Sequence, residues 1–199
     1  MNIKEKLQEL NSLRQSYEIT SKNLEEEFSK IENELETVEK SQTFVQSVAE
    51  NIQSQLSSKI DDIVNLGLAT CFQGYSFETK YVASRGKTEV HFIVKNGDSI
   101  IDPLAQCGGG LVDVLCFCLR ISVYAISNVA DTLVFDEPFK FVSKGLREKV
   151  SELLKVLSER LNLQVIEVTH IDELSENSDK KILIKKVNDV SNIVEEQNE

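Results

Sequence analysis

Thr132-Leu133-Val134-Phe135-Asp136-Glu137-Pro138 is an apolar run that ends in two carboxylates and a proline. A continuous hydrophobic run of this length reads as a strand buried on both faces of a parallel sheet, and Pro138 stops it. In open α/β sheets ligands gather at the carboxyl ends of strands, so Asp136 and Glu137 fall at the edge where chemistry is done. Successive strand side chains point to opposite sides, which gives the two carboxylates different tasks. One can hold Mg²⁺ through its water shell, and the other can orient and activate an attacking water.

Downstream, Val150, Leu153, Leu154, Leu157 and Leu161 recur at helical spacing within Ser143 to Leu161, which predicts an amphipathic helix packed on a sheet. Leu163 to Val168 is then a second strand, ending in Thr169-His170. A histidine at a strand end, taken alone, reads better as a surface residue, but one strand–helix–strand unit after Asp136 it shares the edge of the carboxylates. Lys181 to Val187 reads as a closing strand and residues 188–199 as a polar tail.

Upstream, Ala105-Gln106-Cys107-Gly108-Gly109-Gly110 opens the nearly all-apolar stretch Leu111 to Ile126, broken chiefly by Asp113 and Arg120. Glycines opening a helix let an anion approach its N–H groups, and they read equally as a loop before a core helix. Before them, Ser76 to Ala83 and Thr88 to Lys95 alternate as two strands of a meander. Gly86-Lys87-Thr88 resembles the end of a phosphate-binding P-loop. That loop needs another glycine where Tyr81 stands and a helix afterwards, so these residues read as a hairpin turn.

The first third of the chain differs from all of this. None of the eight glycines precedes Gly67 and both prolines, Pro103 and Pro138, come later, as a continuous helix requires. Ile3, Leu10, Tyr17, Leu24, Ile31, Val38, Val45 and Ile52 recur every seven residues, with Leu7, Phe28, Leu35, Ala49 and Leu56 four later and polar lapses at Arg14, Ser21 and Gln42. This heptad repeat predicts a coiled-coil helix over 1–66, on the order of 100 Å long, followed by a globule over 67–187. A homodimeric coil and an arm paired with a different chain both fit the repeat.

The 22 Lys and Arg against 33 Asp and Glu leave a net charge of −11, which argues against a chain that coats nucleic acid by electrostatics alone. No apolar run approaching about 18 residues without charges is read, and the start lacks the apolar region of a signal peptide, so a soluble cytoplasmic protein is expected. Cys71, Cys107, Cys116 and Cys118 form no Cys-x-x-Cys pair and have no nearby histidine. They read as free thiols rather than zinc ligands.

Taken in order, the coil, the meander, the glycine turn opening an apolar helix, Leu-Val-Phe-Asp-Glu-Pro and Val-Thr-His resemble the C-terminal half of an ABC-type ATPase of the SMC kind. The likeness is nearest to the SbcC-like ATPases of double-strand-break repair and their short bacteriophage relatives, and it covers nearly the whole chain. It implies an α/β fold, an ABC-type C-terminal lobe preceded by a long coiled-coil helix. It also implies that Cys107, Gly108, Gly109 and Gly110 form the signature loop that contacts the γ-phosphate of ATP on an opposite subunit. Asp136 matches the Walker B aspartate near Mg²⁺, Glu137 the general base and His170 the switch histidine. Phe139 to Ser143 takes the place of the D-loop.

The chain departs from the family pattern in having Cys107 where serine is usual, Gly110 where an acidic or amide residue is usual, and Ser143 where the D-loop aspartate is usual. No Walker A loop occurs in these 199 residues. The resemblance therefore implies a separately encoded half-subunit. It would complete an ATP- and Mg²⁺-binding head with a Walker A coiled-coil partner and act on DNA through the complex, with a nuclease as a further partner and no membrane. If the chain is phage-encoded, its compartment is the host cytoplasm. The alternative is a catalytically degenerate scaffold or inhibitor of SMC-type complexes.

Overall fold

The structure is a computed structural model that describes residues 3–127 and 131–196. Residues 1–2 of the expected coil, 128–130 and 197–199 of the expected tail lie outside the described residues. The chain forms two compact units, Met1–Ile52 and Gln53–Glu199. The first is the leading part of helix α1 (Ile3–Cys71), whose heptad apolar residues stay in solvent: Leu24, Ile31 and Leu35 are 57–59% exposed.

In the second unit α1 runs straight through the expected boundary at Gly67. Its last turns bury Ile60, Ile63, Val64, Leu68 and Cys71 in the core. Gly67 marks a close approach to another helix instead of a helix end. A Cβ there would collide with Sγ of the fully buried Cys118 while making only ordinary contact with Leu153 and Val114. We expect Gly67→Ala to cost up to about 2 kcal/mol, because overpacking at ~1–3 kcal/mol is set against the ~1 kcal/mol gained in helix propensity. Denaturant melts of Gly67→Ala, Cys118→Ala and the double variant check this, and the double variant should cost less than the sum of the singles.

Strands β1 (Tyr75–Ser84), β2 (Lys87–Asn96) and β3 (Ser99–Ile101) form the antiparallel meander, in the order β1-β2-β3. Arg85 and Gly86 both have positive φ in the β1–β2 turn, so Gly86-Lys87-Thr88 is a hairpin end, as expected. The outer edge of β1 is closed by side chains of α1. Asn65 accepts from the N–H of Phe77 and donates to its carbonyl, while Asp61 accepts from the N–H of Thr79. Four helical residues rise about 6 Å, close to two strand residues at about 6.6 Å, so Asp61 and Asn65 meet alternate edge groups. This clasp was not foreseen, since neither residue interrupts the apolar pattern.

A short helix α2 (Pro103–Gln106), capped by Asp102, leads to the core helix α3 (Gly109–Ser127). By length and composition α3 could cross a bilayer, contrary to the reading that no run approaches that length. In this fold it buries Leu111, Val114, Leu115, Phe117, Cys118 and Ile121 in the core. Strand β4 (Thr132–Asp136), helix α4 (Lys144–Leu161) and parallel strand β5 (Gln164–Val168) make the expected strand–helix–strand unit. Asn162, in the left-handed conformation, ends α4.

One expectation fails instructively. Strand β4 is covered on one face only. Leu133 and Phe135 turn inward with Val165 and Glu167, but Val134, Ile166 and Val168 on the other face are 67%, 45% and 55% exposed. The sequence is apolar on both sides because a parallel sheet needs cover on both, and the described residues supply one cover. The expected tail is also corrected. Val190–Glu196 forms strand β7, paired antiparallel with β6 (Lys181–Val187) through positive-φ residues Asn188 and Asp189. Val190, Ile193 and Val194 are the β-branched residues of this strand, too few and too irregularly spaced to stand out from the polar residues around them.

Candidate functional site

Asp136 ends β4 in the sheet and is exposed. Glu137 does not continue the strand. Its φ is +46°, a left-handed conformation that an L-residue other than Gly, Asn or Asp seldom adopts and that costs roughly 1–3 kcal/mol. Its N–H donates to the Val168 carbonyl at 2.8 Å, which ties the exit of β4 to the end of β5. Its carboxylate Oε1 lies 2.8 Å from Nδ1 of His170, two residues beyond that same strand. The structure thus brings Glu137 and His170 into one hydrogen-bonded pair at the carboxyl edge. The turned backbone, rather than strand alternation, separates Glu137 from Asp136.

His170 is held from behind. Thr169 Oγ1 accepts from the N–H of Ile171, and Ile171, just before a 3₁₀ turn over Asp172–Ser175, is buried together with Leu174 within it. Within that turn, the backbone N–H of Glu173 itself, with Arg147 and Lys144 beside it, holds the Glu173 carboxyl below the usual carboxylate range. Arg147 reaches Glu173 at 3.3 Å, so the segment after His170 is tethered to the first turns of α4. Arg147 and Glu173 were missed in the sequence, where neither stands in a motif. Because a carboxylate only accepts, Nδ1–H of His170 must donate to Glu137. In neutral imidazole that leaves Nε2 as an acceptor.

The glycine loop forms a second cluster. Cys107 is half-buried, and Gly108 has open space where a Cβ would point. At Gly109 a Cβ would come within 3.1 Å of Phe141, and at Gly110 within 3.4 Å of the Phe141 carbonyl and Val142 Cα. Gly109 is therefore explained by the close packing of Phe141 on the start of α3, whereas a Cβ at Gly110 would make ordinary contact with residues 141 and 142. Asp113 seals that packing by accepting from the N–H of Phe141 at 2.9 Å. Phe139, fully buried against Phe117 with ring centroids 4.8 Å apart, pins the segment, while Phe141 is 62% exposed. Ser143 caps α4 by backbone conformation alone, with no side-chain cap hydrogen bond and its side chain in solvent.

The predicted residues thus fall into two groups joined by residues 138–143. One is the Asp136–Glu137–His170 edge, and the other is the start of α3 with the loop leading to Ser143. Among the described residues no cluster of three or more His, Cys, Asp or Glu could hold a metal. Asp136 is an exposed carboxylate. That suits Mg²⁺, which takes one or two protein carboxylates and fills its remaining positions with water and phosphate oxygens.

No family model matches the chain. Over 122 residues, 60% of the chain, it is 27% identical to a probable DNA double-strand break repair Rad50 ATPase of Aquifex aeolicus. It spans 12% of the length of that relative. Among solved structures it is similar to the Smc head domain with a coiled coil and joint from Pyrococcus yayanosii. There the TM-score is 0.64 at 19% identity, covering 84% of this chain and 32% of that one. A Pyrococcus furiosus Smc head, solved bound to the C-terminal domain of ScpA, matches with TM-score 0.59 at 19% identity over 76% of this chain and 37% of its own. The SMC head domain of Thermotoga maritima gives 0.54 at 20% over 72% and 48%. The resemblance read from motif order is borne out: the fold is that of an SMC-type head with its coiled coil, and the sequence is related to a Rad50 ATPase.

Proposed function

We propose that the chain is the C-terminal half of an ATP-binding head, completed by a Walker A lobe from outside these 199 residues, and that the complete head couples ATP hydrolysis to conformational change in DNA repair or recombination. The observation that carries this reading is the half-covered parallel sheet, an apolar face of Val134, Ile166 and Val168 beside the carboxyl edge that bears Asp136, Glu137 and His170. A second lobe would cover that face. Within the completed head, Asp136 would hold Mg²⁺. Glu137 would accept a proton from the attacking water, and His170 would face the transferred phosphoryl group.

Bound Mg·ATP supplies a phosphoanhydride whose γ-phosphoryl can pass to water with its charge neutralised. For His170 to donate to a phosphate oxygen through Nε2 while Nδ1–H stays on Glu137, the ring must be the imidazolium. Gly108, with open space over its backbone at the start of α3, and the free hydroxyl of Ser143 suit contact with nucleotide on a facing subunit. Cys107 favours a weaker version of that contact, since a thiol donates poorly, and it is the residue that supports a degenerate scaffold as the second reading. The test is ATP hydrolysis by the chain alone and after mixing with the Walker A chain that co-purifies with it from its native cell. Turnover should arise only in the mixture.

A further inference from the structure

The exposed stripe of α1 carries information about its partner that the apolar repeat alone does not. Between Tyr17 and Ser41 the positions flanking the seam are Glu18, Glu25, Glu32 and Glu39 on one side and Thr20, Glu27, Glu34 and Ser41 on the other, with no Lys or Arg among them. The cations of this stretch, Lys22, Lys30 and Lys40, fall on the outer positions of the heptad, and Lys40 pairs with Glu36 there at 2.6 Å. Glu18 is held by Arg14 at 2.8 Å. The seam itself is in solvent, with Tyr17 68%, Leu24 59%, Phe28 69% and Ile31 58% exposed.

Flanking residues set partner choice in coiled coils. In a parallel pair of this chain, Glu27 of one copy would meet Glu32 of the other, and Glu34 would meet Glu39. In a central antiparallel pair, Glu18 would meet Glu39, Glu25 would meet Glu32, and Glu27 would meet Glu34. Both arrangements set like charges across a seam already weakened by Arg14 and Ser21. We propose that α1 pairs through this stripe with a coil whose flanking positions carry Lys or Arg, and that a second copy of this chain is excluded. The inference rests on the half-head reading for the partner's identity. The charge selectivity follows from the six glutamates and is measured without nucleotide, so either can fail alone.

The test uses the full chain and two designed coils of equal length with identical Leu/Ile seams, one with Lys and one with Glu at every flanking position. Each exposed charge pair shifts association roughly twofold, so six compound to about 60-fold in favour of the Lys coil at ~50 mM salt, shrinking to a few-fold at ~500 mM. In sedimentation the wild-type chain should remain monomeric. It should associate when mixed with the variant Glu25→Lys/Glu27→Lys/Glu32→Lys/Glu34→Lys, after circular dichroism has established that the variant keeps its helix. Equal binding of both coils, or self-association of the wild-type chain as tight as its pairing with the Lys variant, would overturn the proposal.

Discussion

Glu137→Gln is expected to lower ATP hydrolysis by the completed head about 10²- to 10⁴-fold, the range that a positioned general base contributes, while nucleotide-dependent association persists. The substitution is nearly isosteric. It leaves the N–H of residue 137 donating to Val168, and the side-chain amide oxygen can still accept from Nδ1–H of His170. What disappears is the carboxylate's basicity. The left-handed backbone at Glu137 places a strained residue where the motif puts the base, and strain of this kind concentrates at functional sites. A variant with wild-type turnover in a steady-state phosphate-release assay would remove Glu137 from the chemistry.

The second large effect concerns stability. Glu167 lies on the covered face of β5, paired in register with Phe135, and its buried Oε1 has no hydrogen-bond partner among the described residues. Burial pushes its carboxyl from the usual 4.5 up to about 7. In that interval the folded chain keeps a proton that the unfolded chain has released, so stability falls as pH rises from about 4.5 to about 7 and stays low above it. The full shift corresponds to ~3 kcal/mol, and partial solvent contact trims this to roughly 2 kcal/mol. Glu167→Gln should therefore flatten the dependence. It should match the wild type near pH 4.5 and exceed it by ~2 kcal/mol, or roughly 4–8 °C in Tm, at pH 8. Parallel stability curves for the two proteins would contradict the assignment.

Much of this was legible because the relevant residues obey local rules. Heptad spacing gave α1, and two-residue alternation gave β1 and β2. The run ending at Asp136 and the Val-Thr-His of β5 gave the sheet edge, and the structure does unite Glu137 with His170 there. What stayed hidden depends on contacts across the chain. Gly67 reads as a helix stop until Cys118 is seen against it. The glycines show that a close approach occurs where α3 begins, and the partner at Gly109 is legible only once Phe141 is seen against it. Asp61 and Asn65 read as polar helix residues until β1 presents its edge. The apolar outer face of β4 misled in a different way: the run reads as a strand covered on both faces, and Val134 on the outer one is exposed.

If this bare face packs against a Walker A lobe, amide hydrogen exchange in β4 and β5 will report the cover. Strands β4 and β5 form a two-stranded sheet, so among the described residues each leaves one edge unpaired. On mixing with the co-purifying Walker A chain and ATP, the outward-facing amides of Thr132–Asp136 or Gln164–Val168 should slow by about tenfold or more, as added strand pairing and cover require. A complex that forms through α1 while exchange in both strands stays unchanged would contradict the account.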